Sequence, residues 1–428
     1  MKRLVILTAP LLVAAAPDPS QLRSSVETLV GFGTRHTLST QTDPKRGIGA
    51  ARKWAAARFE SLSRACGNCL TVELPAKRFS GPRAPDGVDL ADVLGIQKGA
   101  DGSNDVVIVA GHIDSRVSDP MNFTSDAPGA NDDGSGVALV LEAARLLSKE
   151  KHRATIVYAV LSGEEQGLWG GKLLAETAKA KGWNVLAMLN NDIVGNTKGT
   201  DGRIVADRVR VFSEGIRFSE DETGQRARRG NGGEDDGPSR ALAKAVARIA
   251  GSNPPLTPFL VRRPDRFGRG GDHTPMLEAG YPAVRFSVGV ENYDAQHQDL
   301  RTENGRVYGD TPDRMDFEYL AKVTAINVAV MRELANAPAP PAEVVLSGAV
   351  GSDTKVSWTA VPGASGYRIH WRRADHFDWD GSMDIADPKA TETSMAGVIV
   401  DDNFFGVSAV GPKGEESLVT FGGGPYRK

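Results

Sequence analysis

Along most of the chain, short apolar runs alternate with segments whose apolar residues recur at helical spacing. Four runs predict buried strands: residues 106–110, 155–161, 185–189 and 283–288. Two more strands are expected within 70–98, and helices are expected at 20–35, 46–63, 137–147, 172–181, 239–249 and 316–335. Strands that alternate with helices predict an α/β fold, with a mostly parallel sheet flanked by helices.

Two parts of the chain depart from this alternation. Residues 198–237 are rich in glycine and charge, which predicts a mobile surface loop. Residues 336–342, NAPAPPA, predict a linker between an α/β domain at 17–335 and a small β-sandwich at 343–428. Within the sandwich, VSWTAVPGASGYRIHWR and NFFGVSAVGPKGEES resemble fibronectin type III modules, which implies that Trp358 and Tyr367 are core aromatics. Trp371 and Trp379 could line a sugar- or peptide-binding surface, although packing within the sandwich is the simpler interpretation.

Metal-binding side chains cluster where predicted strands end and the next loop or helix begins. The central example is residues 106–136, in which an apolar run stops at GHID and the later NDDGSG opens a helical pattern. Carboxyl ends of parallel strands meet at one edge of a sheet, where ligands bind. Five candidate ligands are expected to gather there: His112, Asp132, Glu165, Asp192 and His297.

These five residues suit two Zn²⁺ ions better than one. Zinc accepts histidine nitrogen and carboxylate oxygen at ~2.0–2.2 Å. One bridging carboxylate would hold two ions ~3.5–4 Å apart around a shared water. Glu164, adjacent to Glu165, is placed to act as a general base, and Asp114 is placed to accept the second ring proton of His112. Each motif alone is weak, but the joint arrangement is specific.

Composition limits the class of protein without naming an activity. The chain has 428 residues, of which 40% are hydrophobic and 25% charged, as is typical of a globular protein with more than one domain. Its net charge of -3 argues weakly against nucleic acid as the main partner. No stretch of the sequence is apolar for long enough to predict a membrane span.

The N-terminal residues and the two cysteines indicate an exported protein. Lys2 and Arg3 precede an apolar run at 4–16, which predicts a secretory signal at 1–16 that is cleaved near Ala14 to Ala16. Cys66 and Cys69, the only cysteines, then predict a local disulfide that pins a turn. We therefore expect a periplasmic or extracellular location.

Several motifs together resemble those of a known enzyme family. GHIDS, APGANDDGSG, SGEEQGL and NNDIVG, followed by GGDHTPM and a late histidine in YDAQHQDLRTENG, are similar to the secreted two-zinc aminopeptidases of clan MH. These include bacterial leucyl aminopeptidases and are relatives of glutamate carboxypeptidase. The resemblance covers roughly residues 20–335 and implies the zinc exopeptidase fold, two zinc ions and a peptide substrate with a free N-terminus.

The resemblance also implies a role for each matching residue. His112 and Asp192 would hold one zinc, Glu165 and His297 the other, and Asp132 would bridge them, with Glu164 as the general base. A cis peptide bond is implied between Asp132 and Asp133, and the pair Asp272–His273 is implied near the site without binding zinc. Some relatives carry a tyrosine shortly before this pair to bind the oxyanion. This chain has Phe267-Gly-Arg-Gly-Gly there, so Arg269 is a candidate substitute.

Three other functions stay open. A carboxypeptidase or dipeptidase of the same fold would need cations for the substrate carboxylate, and five arginines are expected near the rim: Arg262, Arg263, Arg266, Arg269 and Arg285. A solvated loop is the simpler interpretation of these charges. A glutaminyl cyclase would use one zinc, and a non-catalytic binding protein would use none. A partner for the β-sandwich is not indicated by the sequence.

Overall fold

A computed structural model describes residues 16–251 and 254–423 of the chain. Residues 1–15 of the expected signal segment lie outside the described residues. Among the residues that are described, no helix is both long enough and apolar enough to cross a membrane.

Nine α-helices and nineteen β-strands are found in the described ranges. The helices are α1 (Pro19–Val30), α2 (Gly47–Ala65), α3 (Gly134–Leu147), α4 (Glu164–Gly167), α5 (Trp169–Ala180), α6 (Glu222–Asn231), α7 (Pro238–Ala250), α8 (His273–Glu278) and α9 (Phe317–Asn336). The strands up to residue 308 are β1 (Leu70–Glu73), β2 (Ala76–Gly81), β3 (Ala84–Ala91), β4 (Val93–Gln97), β5 (Asp105–His112), β6 (Thr155–Leu161), β7 (Asn184–Asn191), β8 (Arg208–Phe212), β9 (Thr257–Val261), β10 (Ala283–Val288), β11 (Arg301–Glu303) and β12 (Arg306–Tyr308). The C-terminal strands are β13 (Val344–Ser347), β14 (Thr354–Trp358), β15 (Gly366–Arg373), β16 (Gly381–Ile385), β17 (Glu392–Met395), β18 (Asn403–Val410) and β19 (Thr420–Phe421).

An eight-stranded mixed sheet forms the centre of the N-terminal part of the chain, in the order β1-β4-β6-β5-β7-β10-β8-β9. The four central strands, β6, β5, β7 and β10, pair in parallel. Antiparallel pairing joins β4 to β6 and β8 to β10 on either side. The mostly parallel α/β fold expected from the sequence is therefore confirmed, and the carboxyl ends of the central strands share one edge of the sheet.

Both faces of the sheet are covered, which explains why its strands read as continuous apolar runs. In β5, Val107 and Val109 face a cluster that includes residues of α1, α2, α3 and α9. Val106, Ile108 and Ala110 face the other cluster, to which α5 and α8 contribute. The helices thus hold the sheet rigidly from both sides.

Helix α3 begins very close to the sheet, and a glycine makes this possible. A Cβ atom on Gly136 would lie 2.2 Å from the main-chain oxygen of Asn191, a distance at which no side chain fits. Asp133 caps the helix, since its carboxylate accepts a hydrogen bond from the N–H of Gly136 at 2.9 Å. The GSG of the motif therefore sets Asp132 and Asp133 against the strand ends.

Two local expectations differ from the structure. The mobile loop predicted at 198–237 contains strand β8, which joins the central sheet, and the exposed helix α6. Helix α6 is highly charged and includes two glycines, Gly224 and Gly230, so its composition is like that of a loop. The two strands expected within 70–98 are four, because β2 and β3 form a separate hairpin. The disulfide between Cys66 and Cys69 is present and lies between α2 and β1.

The C-terminal part consists of two antiparallel sheets, one of three strands (β13-β14-β17) and one of four (β16-β15-β18-β19). Trp358 and Tyr367 lie in their shared apolar core with ring centroids 5.2 Å apart, as expected. Trp379 lies 4.8 Å from the Lys244 ammonium of α7, so it packs where the two parts of the chain meet. A buried ion pair joins the parts at the same place, between Arg372 and Asp236. The similarity to fibronectin type III modules stays a prediction.

Candidate metal centre

The five candidate ligands converge at one edge of the sheet, where the central strands end. β5 ends at His112, and β7 is followed directly by Asp192. Glu165 lies in the short helix α4 after β6, and Asp132 lies just ahead of α3. His297 comes from the loop after β10 and adopts the left-handed backbone conformation, with φ of 55°.

Asp132 lies between the two histidines. Its Oδ1 is 3.3 Å from His112 Nε2, and its Oδ2 is 3.0 Å from His297 Nε2. Asp192 Oδ1 lies 3.9 Å from His112 Nε2 on the first side. Glu165 Oε1 lies 2.9 Å from His297 Nε2 on the second side. The carboxylate of Asp132 thus faces two separate groups of ligand atoms.

Two groups of three side chains at this edge are each able to hold a metal ion. His112, Glu164 and Asp192 bring one ligand atom apiece within 4.8 Å of one another, and so do Asp132, Glu165 and His297. The buried Oε1 of Glu165 faces His297 Nε2 at 2.9 Å but makes no hydrogen bond of good geometry with any described residue. Histidine nitrogens and carboxylate oxygens that converge in a buried place suit zinc. The residues present therefore fit the metal that the sequence motifs implied.

Asp114 contacts His112 and both glutamates, but its carboxylate does not accept the second ring proton of His112 as expected. The Nδ1 of His112 lies 3.1 Å from the main-chain oxygen of Asp114, and 3.6 Å from its carboxylate Oδ1. The carboxylate instead accepts hydrogen bonds from the N–H groups of Glu164 at 3.2 Å and Glu165 at 3.1 Å. Asp114 thus orients His112 through its carbonyl and fixes both glutamates through its side chain.

The turn that carries Asp132 is held by neighbouring carboxylates. Asp310 Oδ2 accepts the N–H groups of Asn131 at 2.9 Å and Asp132 at 2.7 Å. Asp133 Oδ2 accepts the N–H of His112 at 3.0 Å. The peptide bond between Asp132 and Asp133 is cis, as the family resemblance implied. Asp310, in a loop without a recognisable motif, was not predicted.

A second unpredicted residue, Arg35, ties the two ligand-bearing loops together. Its guanidinium is fully buried and donates to the carbonyl oxygens of Ile113 at 2.7 Å, Pro128 at 2.6 Å and Gly129 at 2.8 Å. It also donates to the carbonyl of Leu29 at 3.1 Å. Burial lowers the pKa of Arg35 to about 10, so it remains a cation at neutral pH. It stabilises the loops after His112 and before Asp132.

The pair Asp272–His273 lies near the site and makes bonds of its own. Asp272 Oδ1 accepts the N–H of Gly171 at 2.9 Å, and His273 Nε2 lies 2.8 Å from the carbonyl oxygen of Pro264. Neither side chain belongs to the two groups of converging ligand atoms. This placement agrees with the expectation that the pair does not bind the metal.

Of the five arginines expected at the rim, Arg266 and Arg269 line the central cavity. Arg285 is not at the rim: it is fully buried and donates to Asp192 Oδ1 at 2.8 Å. It lies on a central strand, β10, whose side chains are covered on both faces. Arg262 is paired with Asp235 at 3.4 Å outside the cavity. The arginine group expected for a carboxypeptidase is therefore dispersed.

The charges around the site shift the proton affinity of its carboxyl groups. Burial raises the pKa of Glu164 well above its usual value, and Asp192 and Glu165 raise it further against the opposing effect of His112. Burial would also raise the pKa of Asp132, but the adjacent His297 and His112 lower it well below its usual value. Of these two carboxyl groups, Asp132 is thus the one that stays deprotonated and Glu164 the one that takes up a proton more readily.

The site opens into a cavity of about 340 Å³. Glu164, Asp132, Asp192 and His297 lie on its wall, together with Gln296, whose amide donates to Asp132 Oδ2 at 3.3 Å. Phe267, in the place where some relatives carry a tyrosine, points away into solvent with 87% of its surface exposed. A cavity of this size accommodates a small part of a peptide beside the converging carboxylates.

Most of the chain is similar in sequence to known proteins. Residues 92–332 match the family described as peptidase family M28. A probable zinc metalloprotease of Leptosphaeria maculans is 41% identical over 410 residues, which are 94% of this chain and 94% of that protein. A probable zinc metalloprotease of Pyricularia oryzae is 40% identical, over 94% of this chain and 82% of that protein.

Solved structures with the same fold are more distant in sequence. The LapA aminopeptidase of Legionella pneumophila is 17% identical with a TM-score of 0.52, and the match covers 75% of this chain and 72% of LapA. A glutaminyl cyclase of Porphyromonas gingivalis is 18% identical with a TM-score of 0.50, over 74% of this chain and 99% of the cyclase. At these identities the likeness shows a shared fold alone.

Proposed function

The chain belongs to peptidase family M28 and is a zinc-dependent metallopeptidase of that family, and from this premise we propose that it is an aminopeptidase with two zinc ions. It would remove the N-terminal residue of a peptide, with Glu164 as the general base. The observation that carries the proposal is Asp132, which presents one carboxylate oxygen to His112 and the other to His297. A bridging carboxylate between two histidines is the arrangement expected of a paired metal site.

The five proposed ligands would be shared between the two ions. His112 and Asp192 would bind one ion, Glu165 and His297 the other, and Asp132 both. Bound zinc would make a water molecule more acidic and polarise the scissile carbonyl. The raised pKa of Glu164 brings its proton affinity closer to that of such a water.

Glu164 would then move the proton in two steps. Its carboxylate takes the proton of the attacking water and delivers it to the nitrogen of the leaving amine, so that the peptide C–N bond breaks. Asp114 keeps this carboxylate in place through the N–H of Glu164. The free amino group of the substrate would lie beside the carboxylates that line the cavity.

The proposal is tested by a zinc count combined with matched peptides. Purified protein should contain two zinc ions per chain and should hydrolyse leucyl peptides only while their amino group is free. The variant His297→Ala should lose one zinc and the activity. His376→Ala, an exposed histidine of the C-terminal part, is the matched control and should change neither.

Other outcomes would identify the rivals. Cleavage of N-acetylated peptides from their C-terminus would indicate a carboxypeptidase. One zinc and formation of pyroglutamate from N-terminal glutamine would indicate a glutaminyl cyclase, whose fold this chain shares. Protein that binds no zinc and cleaves none of the peptides would be a binding protein. Any of these results would contradict the aminopeptidase proposal.

We also propose that the protein is exported to the periplasm or the extracellular space. The cationic and apolar pattern at 1–16 and the disulfide between Cys66 and Cys69 support this. Cell fractionation should find the mature chain outside the cytoplasm. Full-length protein retained in the cytoplasm with reduced cysteines would contradict it.

A further inference from the structure

Four arginines line the same cavity as the catalytic carboxylates: Arg83, Arg116, Arg266 and Arg269. The cavity also carries four carboxylates, those of Asp132, Glu164, Glu165 and Asp192. Two zinc ions would bring four positive charges and balance the four carboxylates, which leaves the arginines as the net charge. A cavity with a net positive charge attracts anionic substrates.

Arg266 and Arg269 have an acidic partner of their own. Both lie 3.5 Å from the buried carboxylate of Glu291. Arg266 is also 3.0 Å from Asp265. Because these carboxylates are not zinc ligands, they would continue to neutralise the two arginines when metal is bound.

Arg83 is placed differently, at the tip of the hairpin formed by β2 and β3. Its guanidinium donates to the main-chain oxygen of Glu165 at 2.5 Å. Within the described parts of the chain it forms no ion pair with a carboxylate. A guanidinium has five N–H donors, so most of those on Arg83 are left to face the cavity or solvent.

Arg116 has a carboxylate partner, but that partner is a proposed zinc ligand. Its Nε donates to Glu165 Oε2 at 2.8 Å, and one terminal nitrogen lies 2.6 Å from His297 Nδ1. A histidine that gives Nε2 to a metal carries its proton on Nδ1, which then cannot accept a hydrogen bond from Arg116. The other terminal nitrogen of Arg116 donates to the carbonyl oxygens of Val117 at 3.1 Å and Ser118 at 3.3 Å. With zinc bound, the terminal nitrogen that faces His297 would therefore be available to another acceptor.

We propose that Arg83 and Arg116 bind a carboxylate of the substrate, so that the enzyme prefers acidic or very short peptides. This inference rests on the proposed aminopeptidase function. A charge-assisted contact to arginine in a partly buried cavity is among the stronger polar interactions available to a peptide. The carboxylate could belong to an acidic side chain or to the C-terminus of a dipeptide, and the two sources share one chemistry.

The test compares matched acid and amide substrates on the zinc-loaded enzyme. The first pair is Leu-Glu-NH₂ and Leu-Gln-NH₂, the second is Leu-Gly and Leu-Gly-NH₂, and the third is Glu-Gly-NH₂ and Gln-Gly-NH₂. At least one acid should exceed its amide about tenfold in kcat/KM, and that pair identifies the source of the carboxylate. The variant Arg83→Gln should reduce this preference more than about threefold, since a neutral amide replaces the cation.

Two further measurements separate binding from chemistry. Calorimetry with the slow variant Glu164→Gln should show tighter binding of the preferred acid than of its amide, and the double variant with Arg83→Gln should lose the difference. The control is Arg226→Gln on α6, an exposed arginine outside the cavity, which should leave the preference intact. Arg83 donates to the main-chain oxygen of Glu165 and not to its carboxylate, so zinc content should be unchanged in Arg83→Gln.

The result that overturns the inference differs from the one that overturns the function. Hydrolysis of neutral leucyl peptides with an acid preference below about tenfold in every pair would reject the anionic subsite alone. A preference that Arg83→Gln leaves within about threefold of its original size would also reject it. Absence of zinc-dependent hydrolysis of any peptide with a free amino group would reject the aminopeptidase proposal itself.

Discussion

The carboxylate of Asp310 accepts the main-chain N–H of Asp132 at 2.7 Å, and so one buried acid holds another in place from a distant segment of the chain. The same oxygen accepts the N–H of Asn131, while the other oxygen has no hydrogen-bond partner among the described residues. Burial raises the pKa of Asp310 to about 7. The position of Asp132, the proposed bridging ligand, thus depends on Asp310, which no sequence motif identified.

Substitution of Asp310 should affect zinc binding and folding separately. In Asp310→Asn an amide oxygen can still accept both N–H groups, but the negative charge is lost, and zinc affinity should fall about 10–100-fold. In Asp310→Ala two buried N–H groups lose their acceptor, and the metal-free protein should lose about 1–3 kcal/mol of stability as well. Competition with a chelator measures the first effect and urea unfolding the second. Unchanged zinc affinity in both variants would contradict this role.

Arg35 should contribute strongly to stability because its cation satisfies four buried carbonyl oxygens. Arg35→Met fills a similar volume but leaves those oxygens without donors, so the free energy of unfolding should fall by about 2–5 kcal/mol. Urea unfolding of the metal-free protein measures the change. Arg23→Met on α1, whose exposed arginine pairs with Glu27, is the control and should change stability by less than about 1 kcal/mol. Equal effects of the two substitutions would argue against the role assigned to Arg35.

Glu164→Gln should separate catalysis from metal binding. The amide keeps the shape of the side chain but cannot take a proton, so kcat should fall by about 10²–10⁴-fold or more. Zinc content should stay at the wild-type value, because the five proposed ligands are unchanged and an amide oxygen can still take the place of the Glu164 carboxylate beside His112 and Asp192. Metal analysis and steady-state kinetics on one preparation measure both. Near-normal kcat would reject Glu164 as the general base, and Glu150→Gln, a surface residue paired with Arg332, is the control.

Glu416 should make the C-terminal part acid-sensitive. Burial would raise its pKa, but hydrogen bonding and attraction to His370, together with Arg248, lower the pKa to about 2. Its folded pKa therefore lies below its unfolded value, so its contribution to stability is complete above the usual pKa of Glu and is lost as the pH falls toward about 2. The lost contribution is at most about 3 kcal/mol.

The variant Glu416→Gln isolates this contribution. The stability difference between wild type and variant, measured by urea unfolding of metal-free protein, should be largest near neutral pH and should shrink between about pH 4.5 and pH 2. Glu392→Gln, which removes an exposed partner of Lys355, should show little difference at any pH. A Glu416→Gln difference that does not vary with pH would contradict the assignment.

The sequence by itself determined the α/β order and the chemistry of the strand ends. Buried parallel strands read as short apolar runs, and a ligand lies at or just after the strand end in two of them, since His112 ends β5 and Asp192 directly follows β7. Since parallel strands end at a common edge, proximity of these residues followed from local pattern alone. His297 lies in a loop after β10 and not at the end of a strand, so the strand pattern alone does not place it.

Only the tertiary structure decided what surrounds those ligands. Asp310 and Arg35 reach the site from loops whose local sequence carries no signal, and their partners are mainly main-chain N–H and C=O groups of other segments. Arg285 was expected at the rim and lies buried against Asp192, while Arg83 reaches the cavity from a separate hairpin. Hydrogen bonds to the main chain depend on how loops fold over one another and not on residue type. Short sequence motifs therefore identify the ligands. The residues that hold the ligands in place, and the charge of the cavity, are set only by the folded structure.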